Sequence, residues 1–196
     1  MPLTRTKILA AASASLAFIV AGPILAQETP PDLPFEVIVP DYTEDRQAAY
    51  EVAAARSAWV DAFESQDVER IMSFYVDDIY SYDMMAAPTA DGLAMAFDGE
   101  PIWRQNWVSF FGMFEDDLEV TIENLTVYQS GDVATVRGLT PLEGTAFGWY
   151  IDMWARETNV LRRVDGEWLV VHDHVSVPID FASGRALMDL APPAAE

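Results

Sequence analysis

Apolar residues recur at helical spacing in two stretches of the chain. From Thr43 to Ser65 they fall every three or four positions, which predicts a long amphipathic helix with Thr43 as its N-cap. Pro101 suits the first turn of another helix, whose apolar stripe must be buried. That stripe consists of Trp103, Trp107, Phe110, Phe111 and Phe114. Between these two helices, Asp67 is placed to cap a short helix.

The later part of the chain alternates apolar and polar residues, which is the period of β-strands. Asp165-Gly166 is a strong hairpin signal between a strand over 146–164 and a last strand that begins near Trp168. Residues 84–99 hold Pro and Gly among small apolar residues and predict a mobile, lid-like loop. Helices gathered before a run of strands favour one α+β domain, with the helices laid across one face of a bent sheet.

The chain begins with basic residues followed by a short apolar run, which predicts export. Residues 1–26 have the pattern of a secretory signal peptide cleaved after Ala26, so we expect the protein in the periplasm or secreted, with no membrane insertion after cleavage. An uncleaved membrane anchor is the other interpretation. Beyond the cleavage site we expect a Pro-rich extended leader over 27–42, one domain over 43–180 and a C-terminal tail over 181–196.

Charge and composition exclude several classes of function. With 32 acidic and 11 basic residues the net charge is −21, so the surface repels nucleic acid and anionic membranes. The chain has no cysteine, and therefore neither disulfides nor a thiol nucleophile. It also contains no Gly-rich phosphate loop and no Gly-x-Ser-x-Gly elbow, so nucleotide and acyl-enzyme chemistry lack support and no cofactor is expected.

Both histidines of the chain lie in the last predicted strand. At period two, His172, His174 and Ser176 share one face with Trp168. Three interpretations remain open for the pair: proton transfer or hydrogen bonding in a pocket, a metal half-site completed by Asp83, or a structural role within the sheet.

Two carboxylates stand in apolar surroundings, where the protonated form is favoured and acid–base chemistry near neutral pH becomes possible. Asp83 ends an aromatic segment just before the predicted loop, and Asp152 lies between apolar residues in a predicted strand. At period two, Asp152 shares its face with Tyr150, Trp154 and Arg156, so the arginine is placed to neutralise it.

The aromatic residues are numerous enough to enclose a cavity as well as to fill a core. An apolar cavity with a few directed polar groups is typical of a small-molecule site. The candidate ligand-binding residues are Trp59, Phe63, Tyr82, Trp103, Trp107, Phe111, Tyr150, Trp154 and Ser176.

Four segments, taken in order and spacing, resemble one known family. They are residues 58–63 (AWVDAF), 74–79 (FYVDDI), 97–99 (FDG) and 165–176 (DGEWLVVHDHVS). Over about residues 45–178 the chain resembles the SnoaL-like branch of the NTF2-like superfamily, which includes ketosteroid isomerase, scytalone dehydratase and polyketide cyclases.

The resemblance implies a cone in which a strongly curved, mostly antiparallel sheet is wrapped by three helices around an apolar pocket, often in a homodimer. Set against ketosteroid isomerase, Asp83 falls on the catalytic base and Asp152 on the carboxylic acid of the oxyanion hole. Trp59 replaces the tyrosine of that hole, and an indole N–H is a weaker donor than a phenol. His172 and His174 replace apolar pocket residues.

We therefore expect an isomerase, lyase or cyclase that moves a proton at a carbon beside a carbonyl group. Asp83 or a histidine would move the proton, while Asp152, Trp59 and His174 would stabilise the oxyanion. The alternative is a non-catalytic periplasmic binding or accessory protein that holds a small apolar or amphipathic ligand in the same pocket.

Overall fold

The computed structural model describes residues 30–191. Within that range the helices are α1 (Arg46–Glu64), α2 (Val68–Met72) and α3 (Glu100–Phe111). None of them is long and apolar enough to cross a membrane. The predicted signal peptide, residues 1–26, lies outside the described residues, as do residues 27–29 of the leader and 192–196 of the tail.

Strands occupy most of the second half of the described chain. They are β1 (Val37–Ile38), β2 (Tyr75–Tyr82), β3 (Ala87–Thr89), β4 (Gly92–Ala94), β5 (Phe97–Asp98), β6 (Glu119–Val120), β7 (Glu123–Ser130), β8 (Val133–Ala146), β9 (Trp149–Val164), β10 (Glu167–Ser176), β11 (Ile179–Asp180) and β12 (Arg185–Ala186).

One large sheet carries the fold. Its strands lie in the order β1-β7-β8-β9-β10-β2-β5, and β6 pairs with the far end of β8. The pairs β1–β7 and β10–β2 are parallel and the others are antiparallel. The sheet curves without closing, and its inner face packs against α1 and α3. The expected α+β cone with three helices and a mostly antiparallel sheet is confirmed.

The predicted helices are present, with one correction at an N-cap. Asp45, not Thr43, caps α1, because its carboxylate accepts the Ala48 N–H at 3.1 Å. Thr43 instead closes a turn through its own N–H, which donates to the Pro40 carbonyl at 3.0 Å. The prediction that Asp67 caps α2 is confirmed.

Residues 84–99 are more ordered than the predicted loop. They contain the small hairpin β3–β4 and the short strand β5, which adds to the edge of β2. Gly99 then starts α3 at a φ of 88°, a conformation that favours glycine. The predicted stripe is buried at Trp103, Trp107 and Phe111 and partly buried at Phe110; Phe114, also partly buried, lies beyond the end of α3 at Phe111.

A β-bulge interrupts β10 and reverses its faces. The register with both neighbouring strands shifts between Val170 and His172. Before the shift Trp168 and Val170 are buried; after it Asp173 is buried and His174 is exposed. The extra residue makes the simple period-two assignment wrong for the end of this strand.

The leader and the tail both pack against the sheet. Residues 37–38 of the leader form β1, which extends the sheet beside β7. β11 pairs with β12 of the tail in a small hairpin, and the Met188 carbonyl then accepts the Trp154 N–H at 2.7 Å. Residues of the tail are therefore hydrogen-bonded to strand β9 of the sheet.

We predict that Gly144→Ala destabilises the fold by about 1–3 kcal/mol through overpacking. A Cβ at this position in β8 would lie 2.8 Å from Leu118 Cδ2 and 3.0 Å from Phe114 Cδ1. Urea unfolding of the purified variant measures the loss. The Phe114→Leu background should relieve part of it, and an unchanged midpoint for Gly144→Ala would contradict the close packing.

Candidate functional site

The candidate site is a cavity of about 60 Å³ between helices α1 and α3 and strands β8, β9 and β10. Most of its wall is apolar, and the polar groups come from the sheet, from α3 and from the chain just after β2. The lining residues are Trp59, Phe63, Asp83, Met84, Trp103, Asn106, Trp107, Phe110, Thr140, Leu142, Met153, Ala155, Glu157, Asp173 and Val175.

Aromatic rings of α1 and α3 form the helical wall. The Trp59 ring centroid lies 5.2 Å from that of Phe63 and 6.1 Å from that of Trp107. Trp103 packs edge to face on Trp107 at 5.5 Å. Phe111 lies behind this wall, 5.3 Å from Trp107, and does not line the cavity. Such packing holds the rings in fixed positions.

Three buried donors of the wall have no partner among the described residues. They are the indole N–H groups of Trp103 and Trp107 and the hydroxyl of Thr140. An unsatisfied buried donor costs free energy, so a group that has none inside the protein is suited to an acceptor on a ligand. The cavity is thus equipped to hold a molecule that carries hydrogen-bond acceptors.

Asp83 enters the cavity directly after β2. Its Oδ1 accepts the Met85 N–H at 2.8 Å. Burial raises the pKa of the Asp83 carboxyl, and hydrogen bonds from the Met85 backbone and the Asn106 side chain oppose that rise in part. The carboxylate is therefore a stronger base than an exposed aspartate, while its charged form remains supported.

Asp173 is the most strongly perturbed carboxyl of the site. It lies on β10 directly opposite Asn159 of β9, whose amide donates to Asp173 Oδ1 at 2.6 Å. Burial raises the pKa of Asp173 to about 8, and the negative charges of Glu157 and Asp83 add to the rise. Arg56 and the Asn159 bond oppose it. At neutral pH the group is a neutral acid that can donate a hydrogen bond.

Glu157 forms an ion pair with a buried cation. Arg56 Nη2 lies 2.9 Å from both carboxylate oxygens, and both side chains are almost completely buried. The guanidinium carbon also stands 4.2 Å from the centre of the Trp59 ring. This ion pair joins α1 to β9 behind the cavity. The positive charge of Arg56 thus faces one of the three carboxyl groups that line the cavity.

The Trp59 indole N–H is already engaged. It donates to the Tyr75 hydroxyl oxygen at 2.9 Å, and Tyr75 is fully buried with a pKa well above its usual value because of that burial. Trp59 therefore contributes a ring face to the cavity, and the expected role of its N–H as an oxyanion donor is corrected to a structural bond within the protein.

The even-numbered residues of β9 face solvent. Asp152 and Tyr150 are exposed, Trp154 is half-buried on the same side, and none of the three lines the cavity. The expectation that Asp152 serves as the acid of the pocket is therefore corrected. The opposite face presents Met153, Ala155 and Glu157 to the cavity, because the apolar set of an alternating strand turns towards the core.

The bulge turns His172, His174 and Ser176 away from the cavity, so their predicted place in it is corrected too. Tyr82 joins them on the outer face, with its ring 5.4 Å from His172 and 5.9 Å from His174. His172 Nδ1 lies 2.7 Å from the Tyr80 carbonyl oxygen and is placed to donate to it. Among residues 30–191 no group of three or more His, Asp or Glu side chains is arranged to hold a metal ion.

Sequence reasoning found four helical residues of the site, Trp59, Phe63, Trp103 and Trp107, and missed most of its polar ones. The signal for Glu157 was present, since it belongs to the more apolar face of β9, whereas Asp173 was hidden by the bulge. The lining residues that were missed are Met84, Asn106, Phe110, Thr140, Leu142, Met153, Ala155, Glu157, Asp173 and Val175.

Comparison with solved structures defines the class of fold. An NTF2-like protein of unknown function from Pseudomonas putida superposes with a TM-score of 0.66 at 28% identity, over 76% of this chain and 99% of the other. A ketosteroid isomerase-like protein from Erwinia carotovora superposes with a TM-score of 0.55 at 23% identity, over 67% of this chain and 97% of the other. The chain has the NTF2-like fold.

The family follows from the sequence itself. The SnoaL-like domain matches residues 52–180, which is most of the described chain. The protein belongs to this SnoaL-like family and has the NTF2-like fold. A search of curated proteins gives no significant match.

We predict that replacing one member of the Arg56–Glu157 pair lowers the free energy of unfolding more than replacing both members. Glu157→Leu leaves a buried guanidinium without its partner and should lower the free energy of unfolding by about 3–5 kcal/mol. The double variant Arg56→Met/Glu157→Leu should recover most of that loss. Urea unfolding of both single variants and the double variant measures the coupling, and a strictly additive result would contradict it.

We predict a pH dependence of stability that originates at Asp173. Between the ordinary carboxyl pKa of about 4 and the folded-state value of about 8, the folded protein keeps a proton that the unfolded chain loses. Raising the pH in this window therefore lowers the free energy of unfolding, by up to about 1.4 kcal/mol per pH unit from this group.

Asp173→Asn cannot ionise and should lack this contribution. Urea unfolding at several pH values between about 5 and 8 should give a shallower decline for the variant than for the wild type. Equal slopes for the two proteins would show that Asp173 titrates normally.

Proposed function

We propose that the protein is an enzyme of the isomerase, lyase or cyclase type that moves a proton at a carbon beside a carbonyl group of a small molecule. Asp83 is the base and neutral Asp173 is a hydrogen-bond donor to the oxygen that becomes negative. The observation that carries the proposal is the pair of buried carboxyls, with raised pKa values, in one aromatic cavity.

The surroundings of the two carboxyls separate their roles. Asp83 accepts hydrogen bonds from Met85 and Asn106, which favour its charged form and suit a base. Asp173 lies deeper, near the charge of Glu157, which favours its neutral form and suits a donor. Carboxyls whose environments differ in this way can serve as the base and the acid of one reaction.

The proposed step begins with transfer of a proton from the substrate carbon to Asp83. The electron pair of the broken C–H bond forms a C=C bond, and the carbonyl oxygen gains the negative charge of an enolate. The hydroxyl of Asp173 and the unpartnered indole N–H groups of Trp103 and Trp107 are available to stabilise that oxygen. One well-placed donor of this kind contributes about 2.7–4 kcal/mol to such a transition state.

The family supports the coarse class of this chemistry. The chain matches the SnoaL-like domain, and one similar structure is called ketosteroid isomerase-like; both support a proton-transfer enzyme.

We predict that the protein accelerates exchange of α-protons for deuterium in D2O in at least one member of a panel of small ketones and aldehydes. Proton NMR detects this exchange whatever product the natural reaction gives. Asp83→Asn should slow it by at least about 100-fold, the effect of losing a general base. Asp78→Asn changes an exposed aspartate of β2 outside the cavity and should exchange like the wild type.

Ligand binding separates the enzyme from a binding protein. Small phenols mimic an enolate, and they should raise the unfolding temperature of the wild type and of Asp83→Asn equally. Equal shifts would show that the variant still binds ligands, so that its slower proton exchange is due to the loss of the base. Binding of the panel compounds without exchange in the wild type would overturn the proposal in favour of a non-catalytic binding protein.

A further inference from the structure

The turn between β8 and β9 presents three aromatic side chains to solvent. We call residues 147–150, Phe147 to Tyr150, the aromatic tip. Phe147 is 73% exposed, Trp149 75% and Tyr150 67%. Neither the Phe147 ring nor the Trp149 ring stacks on another aromatic ring of the described chain. Their exposure makes an apolar patch that the fold itself does not use.

The backbone of Phe147 also has an unfavourable conformation. Ala146 pairs with Trp149, so Phe147 and Gly148 form a two-residue turn with φ values of 54° and 74°. Such turns favour Asn-Gly or Asp-Gly, and a bulky residue in the left-handed region is an outlier.

A second turn of the same chain provides the comparison. Between β9 and β10, Asp165 and Gly166 adopt φ values of 51° and 94°, with the residue types that this geometry favours. Turn formation therefore does not account for a phenylalanine at position 147. Strained positions of this kind are characteristic of functional sites.

The aromatic tip is held rigidly by the loop that follows α3. The Glu115 carboxylate accepts the Gly148 N–H, and the Glu115 N–H donates to the Thr145 carbonyl, both at 2.8 Å. Asp116 accepts the Thr145 N–H at 2.8 Å. The rings are thus displayed on a fixed support, which reduces the entropy lost when a partner binds them.

The surroundings of the aromatic tip are uniformly acidic. The segments that build it, residues 112–121 and 138–155, contain no lysine, arginine or histidine. The Tyr150 hydroxyl donates to Glu143. The carboxylates of these segments are Glu115, Asp116, Asp117, Glu119, Glu143 and Asp152. An apolar centre with a charged rim is the arrangement of a protein-binding surface.

We propose that the aromatic tip docks into an apolar recess on another protein whose rim carries arginine and lysine. Charge complementarity selects this occupant, because anionic membranes and nucleic acid are repelled by the acidic rim. The same complementarity disfavours the tip of a second copy as the partner, because its rim carries the same carboxylates. The surface lies outside the cavity residues, so this inference does not depend on the proposed enzyme activity.

A pair of amphipathic peptides tests the proposal on the purified protein. One peptide alternates leucine with lysine and the other replaces every lysine with glutamate. We expect the lysine peptide to bind. Phe147→Asn and Trp149→Thr should each raise its Kd at least about tenfold, which is the effect of truncating an anchor residue of an interface. Phe181→Ser is the matched control, since Phe181 is 97% exposed in the β11–β12 turn.

Thermal unfolding gives an independent readout for the same variants. Asn-Gly suits the turn better than Phe-Gly, so Phe147→Asn should raise the unfolding midpoint while it weakens binding. A lowered midpoint would show that Phe147 serves the fold, and would overturn the proposal.

Three further results would overturn it. One is equal binding of the glutamate peptide, or an equal loss in Phe181→Ser, since either would reveal unspecific adhesion. The second is tip-dependent binding to phosphatidylcholine vesicles in place of the lysine peptide, which would identify a lipid surface. The third is self-association that Phe147→Asn abolishes, which would identify a second copy of the chain as the occupant.

Discussion

Negative charge buried among aromatic rings is the constraint on which the rest of the structure depends. Three carboxyl groups line the cavity, and among the described residues the buried cation beside them is Arg56, which pairs with Glu157. Burial raises the pKa of both Asp173 and Asp83; nearby negative charges add to the rise at Asp173, whereas hydrogen bonds near the end of β2 oppose it at Asp83. The different states of these carboxyls therefore arise from burial that is compensated to different degrees, and those states define what chemistry the cavity can support.

The sequence predicts those parts of the fold in which the spacing of apolar residues is regular from end to end of the element. Helices α1 and α3 keep theirs, so the positions of Trp59, Phe63, Trp103 and Trp107 on inward faces could be read from spacing alone. The resemblance to the SnoaL-like family supplied the curved sheet and the place of Asp83 after β2. Pattern and resemblance together were sufficient for the architecture and for the four large aromatic residues of the helical wall, but not for Asn106 and Phe110 on the same helix α3.

The sheet half of the cavity could not be predicted in the same way. Glu157 was passed over because a charged residue in a strand is ordinarily placed towards solvent, and its partner Arg56 lies 101 positions earlier in the chain. Asp173 was missed because the bulge that turns it inward leaves no mark in composition. In both cases the deciding contact is between elements distant in sequence, which local periodicity does not contain.

The bulge in β10 selects which polar groups the strand turns towards the cavity. Val171 is the extra residue, because Val170 pairs with Leu161 and His172 with the adjacent Val160. In the regular strand that the same residues would form without a bulge, His172 and His174 would share the inner face with Trp168, and Asp173 would lie on the outer face. The strand thus holds two alternative sets of polar groups, a carboxylic acid and a pair of imidazoles, and one unpaired position decides which of them is inside.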